Sequence, residues 1–156
     1  MHQIGARLSR RSLVAGAINI LVVPLAIGSA LATPQSMMEA MNEALGAAPA
    51  VKPGRVRLEL PELAENGNSV PLKVSVESPM TPADHVKTIY IFSEQNPVPN
   101  VVRFHLGPRC GQASVRTSIR LAGTQQITAV AKMSDGTLWS STARVIVTQA
   151  ACLDDT

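Results

Sequence analysis

The sequence predicts an all-β fold: two packed antiparallel sheets of about seven strands, with a short N-terminal helix or arm. Three observations carry that prediction. From Arg55 onward apolar and polar residues alternate, the pattern of a strand with one wet face. Clusters of Gly, Pro, Asn and Asp interrupt the alternation at intervals of roughly ten to fifteen residues. The alternating apolar positions are mostly Val, Ile and Leu, with few aromatics: Tyr90, Phe92, Phe104 and Trp139.

The first element is a helix between Thr33 and Ala50. Met37, Met38, Met41 and Leu45 recur at helical spacing, Thr33 or Ser36 is placed to cap it, and Pro49 and Lys52-Pro53-Gly54 stop it. A methionine stripe of this kind reads as packing rather than as a site. Residues 33–54 are therefore expected as a helix and linker, and 55–148 as the sandwich.

Val56, Leu58 and Leu60 make the first alternating strand, which Pro61 ends. Asn66-Gly67-Asn68 is a turn signal. Val70, Leu72, Val74 and Val76 form the next strand, and Ser78-Pro79-Met80-Thr81-Pro82 breaks it. Val86 to Ser93 is apolar on both faces and belongs in mid-sheet. A Pro/Asn loop, 94–100, leads to a strand over 101–106, and Gly107 to Gln112 forms another loop. Val115, Thr117, Ile119 and Leu121 alternate next, followed by Ile127, Ala129, Ala131 and Met133. Asp135-Gly136 is a tight hairpin turn. Leu138 to Thr148 is the last strand. This succession reads as an immunoglobulin-like sandwich without the Cys-Trp-Cys arrangement of antibody domains.

Residues 1–32 are not expected in the fold. Ser9-Arg10-Arg11-Ser12-Leu13-Val14 is a twin-arginine pattern, an apolar run follows to Ile27, and Ser29-Ala30-Leu31-Ala32 fits a small-residue cleavage site. Asn19, Pro24 and Gly28 interrupt the run, which is short for a membrane span. A cleaved export signal to the periplasm is the expectation. Its arginines, Arg7, Arg10 and Arg11, account for the whole formal charge of +3. The remaining chain is formally neutral, so it has no electrostatic reason to seek nucleic acid or an anionic membrane. Removing 32 of 156 residues leaves 124, enough for one domain with its own core.

Catalytic constellations are sparse, and the chain is not expected to be an enzyme. Asp84-His85 suggests a base with its orienting acid, but no nucleophile is placed to complete it. His105 lies within a strand. Glu59, Glu62, Glu65 and Glu77 are scattered, and neither a phosphate-cradling glycine loop nor metal-ligand spacing is present. Structural roles are the expectation for these residues, with no metal and no cofactor.

Two cysteines remain, Cys110 and Cys152, 42 positions apart and in no C-x-x-C pattern. Cys152 follows the last strand within a stretch, 149–156, expected to be a mobile arm. A thiolate is the species that attacks or carries sulfur, and Asp154 and Asp155 oppose one by like-charge repulsion. The residues thus offer access without activation, and a partner enzyme would supply the activating charge. Cys110 lies on a loop beside Arg109. It is either a thiol without function or a regulatory one that locks Cys152 as a disulfide.

Several strings resemble one family. Leu60-Pro61-Glu62-Leu63-Ala64-Glu65-Asn66-Gly67-Asn68-Ser69-Val70-Pro71 is similar to the start of the sandwich in SoxY proteins, the sulfur carriers of periplasmic thiosulfate oxidation. Similar too are Val74 to Thr81, Asp84 to Lys87, Asn96-Pro97-Val98-Pro99-Asn100-Val101, and Ala131 to Gly136 followed by Trp139. The resemblance runs from about Val51 to Cys152.

It implies an immunoglobulin-like sandwich paired with a second one, a SoxZ-like chain. Sulfur intermediates would be held covalently on Cys152, with no other cofactor, and partner enzymes of the Sox type would load, oxidise and hydrolyse them. The family arm ends Gly-Gly-Cys-Gly-Gly, whereas Ala150-Ala151 precede Cys152 here and Leu153-Asp154-Asp155-Thr156 follow it. Glycines give a thin backbone with wide conformational freedom, which this arm lacks. Three functions follow as expectations: a sulfur carrier, a non-carrying subunit that only pairs with a SoxZ-like chain, or a thiol-disulfide protein using Cys110 and Cys152.

Overall fold

A computed structural model of the chain describes residues 33–46 and 50–151. The export signal expected over 1–32, and Cys152 with the four residues after it, lie outside the described residues.

Helix α1 (Pro34–Leu45) starts at Thr33, whose side chain accepts the N–H of Ser36 while the Ser36 hydroxyl accepts the N–H of Thr33. This reciprocal cap satisfies two of the donors a helix start leaves open. Gly46, at φ 87°, ends the helix.

The nine strands among the described residues are β1 (Val51–Pro53), β2 (Val56–Glu59), β3 (Leu63–Asn66), β4 (Val70–Val76), β5 (Val86–Ser93), β6 (Asn100–His105), β7 (Ala113–Ile119), β8 (Gln125–Met133) and β9 (Leu138–Gln149). They form an immunoglobulin-like sandwich. One sheet runs β1-β9-β8-β5-β6, with β3 also on β9; the other runs β2-β4-β7. β5 lies between β8 and β6, the mid-sheet place its two apolar faces predict.

The fold exceeds expectation by two short strands. β1 and β3 both pair parallel with β9, against Leu138–Ser140 and Ile146–Gln149. Neither has the length or alternation that marks a strand in sequence, and both form because β9 is long enough to hold two partners in succession. Pro71 is tolerated inside β4 because β2 has already ended: the last β2 pair is Glu59 with Lys73.

The core between the sheets holds Val70, Leu72, Val74, Ile89, Ile91, Ile127, Ala129 and Val145, all nearly or wholly inaccessible. A second apolar cluster lies on the far face of the larger sheet. Tyr90, Phe92, Val130 and Leu138 are buried there under Met37, Ala40, Met41, Ala44 and Leu45 of α1. The methionine stripe is therefore packing, and it explains why β5 is apolar on both faces. Among the described residues no helix is long and apolar enough to cross a membrane.

Candidate functional site

The described residue next to Cys152 is Ala151, and it is held firmly. The strand expected to end at Thr148 runs to Gln149, and Ala151 is only 7% exposed. Residues 149–151, expected as part of the arm, belong to the domain.

Three backbone segments meet at this root. The N–H of Gly67 donates to Gln149 O at 2.7 Å, the N–H of Leu121 to Gly67 O at 2.8 Å, and the N–H of Ala151 to Leu121 O at 2.9 Å. Just before it, the N–H of Ile146 reaches Glu62 O and the Thr148 hydroxyl reaches Glu65 O, both at 2.9 Å. On the other side the Thr124 hydroxyl accepts the N–H of Val147 at 2.9 Å.

Gly67 is required by close approach. A Cβ there would stand 2.5 Å from Leu121 O, 2.8 Å from Ala151 N and 3.0 Å from Gln149 O. All three are backbone atoms, and none is free to swing aside.

Leu121 is fixed in turn by a buried polar network. The Asn96 amide donates to Arg120 O at 2.8 Å, and its oxygen accepts the N–H of Ala122 at 3.1 Å. Asn96 thus clasps the peptides on both sides of Leu121. Gln125 donates to Asn96 Oδ1 at 3.1 Å and to Gly123 O at 3.2 Å, and accepts from the Ser93 hydroxyl and the N–H of Gln95. Asn96, Gln125 and Ser93 are 5%, 2% and 0% exposed. Away from water, each bond left unmade would cost the full desolvation of its group, so the network is rigid because it is satisfied.

Beside the root, between the open edges β6 and β7, lies a cleft of about 420 Å³ lined in part by Asn96, Val98, Val102, Ile119 and Arg120. No acid-base pair lines it.

Cys110 sits far from this root. It is exposed and unpaired, and its sulfur accepts the N–H of Gly107 at 3.4 Å. It precedes the start of β7, whereas Leu121 follows the end. Seven residues of strand lie between, a rise of roughly 20 Å. The Cα of residue 152 is within about 3.8 Å of that of Ala151, and a disulfide needs its two Cα atoms within roughly 7 Å. The expected lock between Cys110 and Cys152 in one folded chain therefore fails on distance.

The other residues singled out from sequence do not assemble. Asp84 faces Arg55 at 3.3 Å, while the His85 ring contacts Thr81 O at 3.0 Å. No acid–histidine pair forms. The His105 ring meets the Thr88 hydroxyl at 3.3 Å. Glu59 pairs with Lys73 at 3.0 Å, a hydrogen bond that holds its carboxyl below the usual range. Among the described residues there is no cluster of His, Cys, Asp and Glu able to hold a metal. Sequence reasoning missed Gly67, Asn96, Leu121 and Gln125. Gly67 and Asn96 lie in strings that read only as a turn and a loop.

Comparison with known proteins agrees with this architecture. The family model described as sulfur oxidation protein SoxY matches residues 41–152, ending on Cys152 itself. The solved structure of the sulfur carrier protein SoxY from Chlorobium limicola f thiosulfatophilum is 27% identical, with a TM-score of 0.61, covering 72% of this chain and 96% of that one. Superoxide reductases share the fold alone. That of Ignicoccus hospitalis is 20% identical with a TM-score of 0.53, covering 60% of this chain and 80% of its own. That of Nanoarchaeum equitans is 12% identical with a TM-score of 0.51, covering 62% of this chain and all of its own. No curated protein matches the sequence. With a family model spanning most of its length and a sandwich that carries the last strand up to the cysteine, this chain belongs to the SoxY family.

Proposed function

We propose that this chain is a periplasmic sulfur carrier that holds sulfur-oxidation intermediates covalently on Cys152 and presents them to partner enzymes. The observation that carries the reading is the family match that ends on Cys152, one residue beyond a scaffold-bound Ala151. The twin-arginine pattern at Ser9–Val14 supports the location. A SoxZ-like chain is the proposed partner, because SoxY proteins generally pair with SoxZ.

The chemistry asks little of the carrier. With thiosulfate, a new S–S bond joins the Cys152 sulfur to the outer sulfur of the substrate. The thiol proton goes to a base, and two electrons go to an acceptor on the partner enzyme. What remains on the chain is a thiosulfonate, Cys152–S–SO3⁻. Hydrolysis at the sulfone sulfur by a second enzyme then releases sulfate and leaves sulfur on the cysteine. Both steps require a thiol accessible to other proteins.

Intact mass of the periplasmic protein after thiosulfate exposure tests the reading. An adduct present in the wild type and missing in Cys152→Ser supports it. An unmodified thiol in cells that are oxidising thiosulfate sinks it.

A second reading rests on Ala150, Leu153, Asp154 and Asp155, which replace a glycine-rich arm with bulk and negative charge. In that reading the chain pairs with a SoxZ-like protein and carries nothing. It predicts pairing with no phenotype for Cys152→Ser.

A further inference from the structure

We propose that Gly67 and Asn96 are positioning residues for the Cys152 thiol: they hold Leu121 where its carbonyl captures the Ala151 N–H, and so fix the point at which residue 152 leaves the scaffold. This rests on the carrier reading and adds how the thiol is aimed.

The argument is geometric. The three bonds at the root run in sequence from Gln149 through Gly67 and Leu121 to Ala151. Gly67 stands at the middle, and a methyl there would collide with partners from three segments. Asn96 clasps Leu121 from the other side through Arg120 O and the N–H of Ala122. Neither residue touches the thiol. Each acts by setting the position of one peptide, and that peptide sets Ala151.

The consequence is a short leash. A carrier arm that starts to move at residue 149 would sweep its cysteine over a wide volume. An arm pinned at Ala151 keeps the Cα of residue 152 within about 3.8 Å of a fixed point. A partner enzyme then meets the thiol together with the scaffold around the root. Misplacing a reacting group by about 1 Å can cost on the order of a hundredfold in rate, so the anchor sets how well an enzyme can reach the sulfur.

The full-length exported protein is compared with Gly67→Ala and Asn96→Ala, and with Ala151→Pro as a variant that removes the donor while leaving the network intact. Three quantities are read. Hydrogen exchange at the Ala151 amide reports the anchor in the first two variants. Thiosulfate-dependent adduct formed in cells reports enzymatic loading. Reaction with tetrathionate reports the bare thiol: the thiolate attacks a central sulfur, thiosulfate leaves with the electron pair of the broken S–S bond, and Cys152–S–SO3⁻ forms without an enzyme.

The expected result is a loss of Ala151 protection by about tenfold or more while core amides such as Ile89 keep theirs. Cellular loading falls by about a hundredfold in all three variants, and the tetrathionate rate stays within about twofold. Unchanged protection in both Gly67→Ala and Asn96→Ala overturns the proposal. So does full loading of any folded variant, or a tetrathionate rate that falls in step with loading. If the wild type itself is never loaded, the carrier reading fails, and the exchange measurement alone decides the anchor.

Discussion

The N–H of Ala151 donates to the carbonyl of Leu121 at 2.9 Å, joining the end of the last strand to the β7–β8 connection. That bond exists because Gly67 leaves room for it, with Leu121 O only 2.5 Å from where a Cβ would stand. Gly67→Ala is therefore expected to destabilise the domain by about 1–3 kcal/mol, the usual cost of forcing extra volume into a packed site. The midpoint of urea unfolding checks it. A variant as stable as the wild type would show that the root relaxes freely.

Distance between the two cysteines gives a second prediction. Cys110 lies before β7 and the root of the arm lies beyond its far end, roughly 20 Å apart along the strand. Oxidation of folded protein should yield mixed disulfides or intermolecular dimers and no Cys110–Cys152 bridge within one chain. Non-reducing peptide mapping of the monomer reads this directly. A bridged monomer formed without denaturation would require the root to have come undone.

Much of this could be read in the sequence, and the limits have physical causes. Strands β4, β5, β7, β8 and β9 announce themselves because alternation over seven or more residues is a signal that local composition sustains. β1 and β3 give no such signal, since three- and four-residue strands are made by the partner they add to. The Asn66-Gly67-Asn68 turn was legible as a turn, and the Asn68 N–H does donate to Asn66 Oδ1 at 2.9 Å. What makes Gly67 indispensable is the approach of residues 121, 149 and 151, all distant in sequence. Asn96 reads as a loop residue for the same reason, because its partners stand more than twenty positions away. The expectation of an arm from residue 149 followed from small residues after a strand. Ala151 belongs to the scaffold because its N–H found Leu121.

The N-terminal helix is expected to stabilise the domain and not merely to trail from it. Tyr90 and Phe92 stack with centroids 6.0 Å apart on the sheet face that α1 covers. Phe92 is fully buried, so Phe92→Ala should cost about 3–5 kcal/mol. Met41→Ala, trimming the helix side of the same cluster, should cost less because Met41 is only partly buried. The two variants and their double mutant, compared by denaturant unfolding, should be non-additive because the residues share a cluster. Strict additivity would mean that α1 and the sheet face do not depend on one another.

Acid should loosen the β8–β9 hairpin first at its turn. The Asp135 carboxylate accepts the N–H and the hydroxyl of Thr137, both at 2.8 Å. The backbone bond, then the hydroxyl, hold the Asp135 carboxyl below its ordinary value. A folded value below the unfolded one means that its stabilising contribution is fully present above the ordinary carboxylate value of about 4. It is lost as pH falls through the lowered value. Wild type should therefore be slightly more stable than Asp135→Asn at neutral pH, and the difference should close below about pH 4. The group is exposed, so the effect is expected to be small. Thermal melts of both proteins across pH 2–7, a range that brackets the titration, measure it. A gap that widened as pH fell would reverse the sign and show that the Asp135 charge opposes the turn.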